Sequence, residues 1–276
     1  MRKYIAPVLR LLVIAVVILI LFAQVLRRTG MFFPERYPLG SWDGVGLLPK
    51  PEDVWFTATD GVRLHAWLFR APDPHAPLLI WCHGNAGNLT GRAPYGASFA
   101  RRGISALLFD YRGYGRSGGR ASESGLYLDV LAAYDFAVKQ LGAKPQSIVM
   151  YGESLGGPYA AFAAKERGAR CVVIESSFGS LKDLGNALYF PLPIGWLAPF
   201  AQRTRVWLNE ARVPVLVMHG RRDQVIPFAI GMKLYEGLTA PKQLFVSETA
   251  GHCEIPAIEG DRYYETVCRF VAGIEN

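Results

Sequence analysis

From residue 54 onward the hydrophobic and polar positions fall into regular blocks. Apolar, β-branched or aromatic runs occupy 54–58, 63–69, 78–82, 105–109, 147–151, 171–175, 215–219 and 243–247. Between them lie stretches of helical length at 91–102, 124–140, 155–167, 229–238 and 261–273. Within the second of these, Leu128, Leu131, Ala132 and Val138 recur at a helical period. Leu78-Leu79-Ile80-Trp81-Cys82 and Ile148-Val149-Met150-Tyr151 are continuously apolar rather than alternating. Such runs suit strands covered on both faces, as in a largely parallel sheet. Strand alternating with helix therefore predicts a doubly wound α/β domain.

Two stretches break the rhythm. Phe178 to Val213 carries Tyr189, Phe190, Trp196, Phe200 and Trp207 and is too long and apolar for an ordinary connection. It is expected to be an insertion that caps something. At the other end, Ile5 to Leu26 is 22 residues interrupted only by Arg10 and Gln24. A helix of that length crosses a hydrocarbon core of roughly 30 Å. Arg10, one turn inside the end, reaches the headgroups by snorkelling. A cleaved signal peptide is the first alternative, but no Ala-x-Ala pattern follows the run. A buried core helix is the second, against which stand the basic residues on both flanks. The expected organisation is an anchor over 1–28, a Gly- and Pro-rich linker over 29–51, and a catalytic domain over 52–276 with its cap at 178–213.

Charge sharpens this picture. The chain of 276 residues carries a formal net charge of +7. Residues 1–30 hold five basic side chains and no acid, which leaves 25 basic against 23 acidic residues in the remainder. The domain thus lacks the cationic surplus that nucleic-acid binding requires. Arg2, Lys3 and Arg10 on one side of the anchor balance Arg27, Arg28 and Arg36 on the other, so positive charge does not orient it. Four scattered cysteines form neither a disulfide framework nor a Cys-x-x-Cys metal site.

The sharpest chemical signal is Gly152-Glu153-Ser154-Leu155-Gly156, between the apolar run ending at Tyr151 and a helix-like stretch. A serine on a tight strand-to-helix turn needs small neighbours at −2 and +2 if the turn is to close and leave Oγ exposed. A hydroxyl of ordinary acidity is a poor nucleophile, so a base and an orienting carboxylate should follow. Asp223 lies just past the strand ending His219-Gly220, and His252 opens the loop after the last strand. Glu175, at the end of strand 171–175, is the rival acid. Asp110 ends a strand before a Gly-rich loop, where a structural hydrogen bond is expected. Of the other histidines, His65 and His75 have no mechanistic context, and His219 reads as structural. The oxyanion of an acyl-transfer intermediate needs donors: the amide of Leu155 is one candidate, and that of Asn85, in the loop Cys82-His83-Gly84-Asn85-Ala86-Gly87, is the other.

The set His83-Gly84-Asn85, Gly113-Tyr114-Gly115-x-Ser117-x-Gly119, Gly152-x-Ser154-x-Gly156, His219-Gly220-x-x-Asp223 and Gly251-His252 resembles the α/β-hydrolase superfamily. Within it the chain is most similar to the membrane-anchored serine hydrolases related to the bud-emergence suppressor of yeast and to animal protein depalmitoylases. The resemblance runs from about residue 50 to the end and implies the α/β-hydrolase fold, a mostly parallel eight-stranded sheet with helices on both faces. It does not extend to the N-terminal cysteine cluster of the depalmitoylases, since no cysteine precedes Cys82. The resulting expectation is a membrane-anchored serine hydrolase acting on ester or thioester bonds of an apolar acyl substrate. Ser154 is nucleophile, His252 base and Asp223 orienter, with no metal or organic cofactor. A serine aminopeptidase on the same scaffold and a non-catalytic membrane scaffold are the competing readings.

Overall fold

The computed structural model describes residues 32–188 and 202–273, together with positions 7, 10, 11, 13, 14 and 17. Apart from those six positions, the expected membrane-spanning run lies outside the described residues. The six are helical, and Leu11, Val13, Ile14 and Val17 among them are exposed. Among the described residues no helix is long and apolar enough to cross a membrane.

Ten strands occur among the described residues: β1 (Phe33–Pro34), β2 (Glu52–Thr57), β3 (Arg63–Phe69), β4 (Leu78–Cys82), β5 (Ala86–Gly87), β6 (Ser105–Phe109), β7 (Ile148–Glu153), β8 (Cys171–Glu175), β9 (Val215–Gly220) and β10 (Lys242–Ser247). Eight of them form one sheet in the order β10-β9-β8-β7-β4-β6-β3-β2. Only β3 runs against its neighbours; every other pairing is parallel. This is the mostly parallel α/β-hydrolase sheet.

The continuous apolar runs are explained by the two layers that sandwich the sheet. Along β4, Leu78, Ile80 and Cys82 enter one core while Leu79 and Trp81 enter the other. The same alternation divides Val172 and Ile174 from Cys171 and Val173 in β8. The first core is closed by α2 (Glu123–Lys139) and α3 (Gly156–Arg167), through Leu126, Val130, Tyr159 and Ala163. The second is closed by α1 (Ala93–Arg101) and α8 (Asp261–Ala272), through Ala97, Phe99, Tyr263 and Val267. Ser122 starts α2 by accepting the Gly125 amide at 3.2 Å, as an N-cap serine should.

Four further α-helices occur among the described residues: α4 (Leu181–Leu188), α5 (Thr204–Ala211), α6 (Phe228–Glu236) and α7 (Ile255–Glu259). Of the segment expected as a cap, residues 189–201 lie outside the described residues. Its α5 is part of the helical layer: Leu208 is buried in the first core, and Trp207 packs edge-on to Tyr127 and Phe162. Phe178 and Leu181 form a separate small apolar cluster with Ile226 and Ile230, against which Phe32 and Leu184 pack. Residues 32–51 lie irregularly on the domain. Trp42 packs edge-on to Trp67, and Phe33 and Pro34 pair in parallel with Ala86 and Gly87.

Candidate active site

The site forms at the C-terminal ends of strands β4, β7, β8, β9 and β10, adjacent in the sheet, where parallel strands deliver their loops to one edge. β7 ends at Glu153, and Ser154 stands between it and α3 with a left-handed backbone, φ 51°. For a non-glycine residue that conformation costs on the order of 1–3 kcal/mol and persists only when the surroundings hold it. Here the Ser154 amide donates to the Glu175 carbonyl at 2.9 Å, and its carbonyl accepts from Gly157 N at 3.0 Å and Ser177 Oγ at 2.7 Å. The flanking glycines are needed for closure. A Cβ on Gly152 would lie 2.6 Å from Gly157 Cα, and one on Gly156 would collide with the Cys82 carbonyl oxygen.

Two further loops bring their side chains to Ser154. Asp223 follows β9; its Oδ1 accepts the amides of Val225 at 2.9 Å and Ile226 at 2.8 Å. The other oxygen, Oδ2, faces His252 Nδ1 at 2.8 Å. His252 Nε2 lies 3.0 Å from Ser154 Oγ. A buried carboxylate can only accept, so Nδ1 carries the proton and Nε2 is left to accept from the serine. The His252 loop is held in turn by Cys253, whose amide donates to Ser176 Oγ at 3.3 Å. Ser176 and Cys253 also have left-handed φ, 49° and 56°, so backbone strain gathers around the site. Burial pushes the Cys253 thiol well above its ordinary range, with Glu153 and Glu175 adding to the effect, which keeps it protonated. A protonated thiol is a poor nucleophile.

Leu155 and Asn85 complete the sequence-selected set. Among the described residues neither amide donates to a protein acceptor. Leu155 heads α3, whose N-terminal amides and dipole favour negative charge. The Asn85 loop is close at hand, because a Cβ on Gly84 would lie 3.5 Å from Ser154 Cβ.

The remaining candidates are placed elsewhere. His219 Nε2 donates to the Ile226 carbonyl at 2.9 Å and supports the turn that carries Asp223. The Asp110 carboxylate accepts the Leu89 amide at 2.8 Å. Glu175, the rival acid, is bonded to the Tyr151 hydroxyl, which also lies 2.7 Å from Tyr263 Oη. Glu175 and Glu153 sit side by side in the register of β7 and β8. Two buried carboxyls so placed cannot both ionise without a cation. Burial raises Glu153, but the charge and hydrogen bonds of Arg92 outweigh it and hold the carboxyl at about 2. For Glu175 burial and then repulsion from Glu153 outweigh the Tyr151 hydrogen bond and the more distant charge of Arg92, and push it up to about 8.

Arg92 is the residue that sequence reasoning missed. Its Nη2 lies 2.6 Å from Glu153 Oε1 and its Nε 3.1 Å from Oε2. The available signal was Glu153 itself, a charged residue at a position bound to be buried, which demands a counter-cation. Among the described residues no group of three or more His, Cys, Asp and Glu side chains gathers to hold a metal ion.

The chain is similar to known proteins over most of its length. Residues 73–208 match the model of the family described as serine aminopeptidase, S33. The chain is 32% identical to the protein Rv2307c of Mycobacterium tuberculosis over 270 residues, 96% of this chain and 94% of that one. It is 28% identical to protein bem46 of Schizosaccharomyces pombe over 262 residues, 88% and 85% of the two chains. Its fold superposes on an esterase of Pyrococcus furiosus with a TM-score of 0.70 at 22% identity, covering 89% of this chain and 99% of that one. The chain belongs to the α/β-hydrolase superfamily, among hydrolases of the esterase and peptidase type, in the bem46 group.

Proposed function

We propose that this α/β hydrolase is a membrane-tethered serine hydrolase that cleaves ester or thioester bonds of an apolar acyl substrate. The observation that carries the reading is the unbroken contact from Ser154 Oγ through His252 to Asp223, at 3.0 and 2.8 Å. Ser154 Oγ attacks the acyl carbonyl carbon while His252 Nε2 takes its proton. The carbonyl π electrons move to oxygen, where the Asn85 and Leu155 amides receive the negative charge. Collapse expels the alcohol or thiol, which leaves with the proton from His252. Water then attacks the acyl-enzyme, gives its proton to His252, and restores Ser154 as the acid departs. Asp223 keeps the imidazole in the tautomer these transfers need.

The apolar cluster of Phe178, Leu181, Ile226 and Ile230 adjoins the turn that carries Asp223 and favours a hydrocarbon acyl group. The tether is supported by the apolar composition of residues 5–26, and the aromatic composition of the stretch between Phe178 and Phe200, ahead of α5, supports a cover over the acyl side. A peptidase reading draws on the description of the matching family. Against it, recognition of a substrate ammonium calls for a free carboxylate by the nucleophile. Glu153 is taken by Arg92, and Glu175 by Tyr151. A fluorophosphonate probe tests the reading: it should label the protein, and Ser154→Ala should abolish both labelling and turnover of p-nitrophenyl esters. Labelling that survives the substitution refutes the nucleophile. Faster hydrolysis of aminoacyl-anilides than of acyl esters would turn the assignment to a peptidase.

A further inference from the structure

Beneath the proposed nucleophile lies an ion pair that the proton relay does not use. Side-chain exposure is 17% for Arg92 and 7% for Glu153. Trp81 Nε1 donates to Glu153 Oε2 at 3.1 Å, so both carboxylate oxygens are engaged. Arg92 has donors to spare, and it spends them on the loop after β4. Its Nη1 donates to the carbonyl of Ala86 at 3.1 Å and to that of Asn88 at 3.4 Å. One guanidinium thus joins the residue immediately before Ser154 to the residue immediately after Asn85. Gly84 marks the junction: a Cβ there would lie 2.8 Å from Glu153 Oε1 and 3.5 Å from Arg92 Nη2.

We infer that Arg92 and Glu153 are positioning residues that set the distance between the nucleophile and the Asn85 amide. The inference rests on the serine-hydrolase reading above and adds a function to a pair that touches no reacting atom. The far side of the loop is already fixed, because the Asn85 carbonyl accepts from Phe33 N at 3.4 Å and from Tyr114 Oη at 2.8 Å. Arg92 closes the near side. Only a bidentate, planar cation can grip a carboxylate with one edge and two carbonyls with the other; an ammonium cannot. Stability alone does not account for the pair, since buried ion pairs replaced by apolar side chains of similar volume are often neutral or better. A donor that is aimed at the transition state and cannot relax is where such rigidity has value.

The test uses the full chain with p-nitrophenyl butyrate as substrate and an alkyl trifluoromethyl ketone as a tetrahedral-adduct probe. Three variants are compared: Arg92→Lys, Glu153→Gln and the double variant Arg92→Met/Glu153→Met. We expect kcat to fall about 10- to 100-fold in Arg92→Lys with KM within about twofold, the signature of an interaction made only in the transition state. Affinity for the ketone should fall in parallel. Glu153→Gln should give a smaller loss of the same kind. The double variant should melt near the parent temperature yet stay slow, which a purely structural pair would not do. Should the double variant not fold, Arg92→Lys, which keeps the charge, decides. Parental kcat in either folded Arg92 variant, or a loss confined to KM, overturns the inference. Ser154→Ala separates the two layers: turnover in that variant sinks the serine-hydrolase reading itself. A dead Ser154→Ala beside fully active Arg92 variants sinks only the positioning role.

Discussion

Glu153 and Glu175 show how much chemistry a single register can impose. They are neighbours across β7 and β8, and Arg92 ionises one and leaves the other to keep its proton. The sign of the pH effect follows. An ordinary glutamate releases its proton near 4.5, whereas Glu175 holds it to about 8. Between those values the folded chain binds a proton that the unfolded chain has lost. The Glu175 contribution therefore destabilises the fold progressively as pH rises through that window, and levels off above it. Glu175→Gln cannot titrate, so its melting temperature should match the parent at pH 5 and exceed it by about 2 °C or more at pH 8.5. Equal melting temperatures at both pH values would show that Glu175 is ionised throughout. At this scale the three relay residues were legible because each sits at a strand end in a recognisable turn. Arg92 was not, because its role comes from a contact spanning 61 residues that no local pattern records.

The elements were legible where burial on both faces dictated the composition. All eight long strands fall on their expected runs to within two residues at each end, from 63–69 to 215–220. The elements that escaped are short or have tertiary causes. β1 and β5 are two residues each, held by pairing with one another, and α5 lies in a stretch whose proline and aromatic content reads as irregular. The strand-to-helix turn is the element where local sequence and long-range packing meet. Gly156→Ala places a methyl group against the Cys82 carbonyl, and neither α3 nor β4 can retreat without opening a core. Such overpacking costs about 1–3 kcal/mol. The expected outcome is a lower denaturation midpoint together with a loss of fluorophosphonate labelling, because the displaced backbone is the one that aims Ser154. A variant as stable and as reactive as the parent would show that the turn has room.

For the whole molecule, the charge asymmetry and the apolar run point the same way. Five of the seven net positive charges lie within the first 30 residues, around the 22-residue apolar segment, while the domain that follows is nearly neutral. Deletion of residues 1–28 should leave ester turnover in solution within about threefold, because β1 starts only at Phe33. It should also release the protein from sedimenting lipid vesicles at high salt, where attraction of basic residues to the surface is screened and apolar insertion is not. Sedimentation unchanged by the deletion would locate the lipid contact in the domain instead.

The way the chain enters the domain has a mechanical consequence. Phe33 and Glu35 hang on the carbonyls of Asn85 and Gly87, and Asn88 reaches back through its side-chain amide to the carbonyls of Glu35 and Leu39. Any tension applied upstream of residue 33 is therefore delivered first to the loop that carries Asn85, before it reaches the sheet.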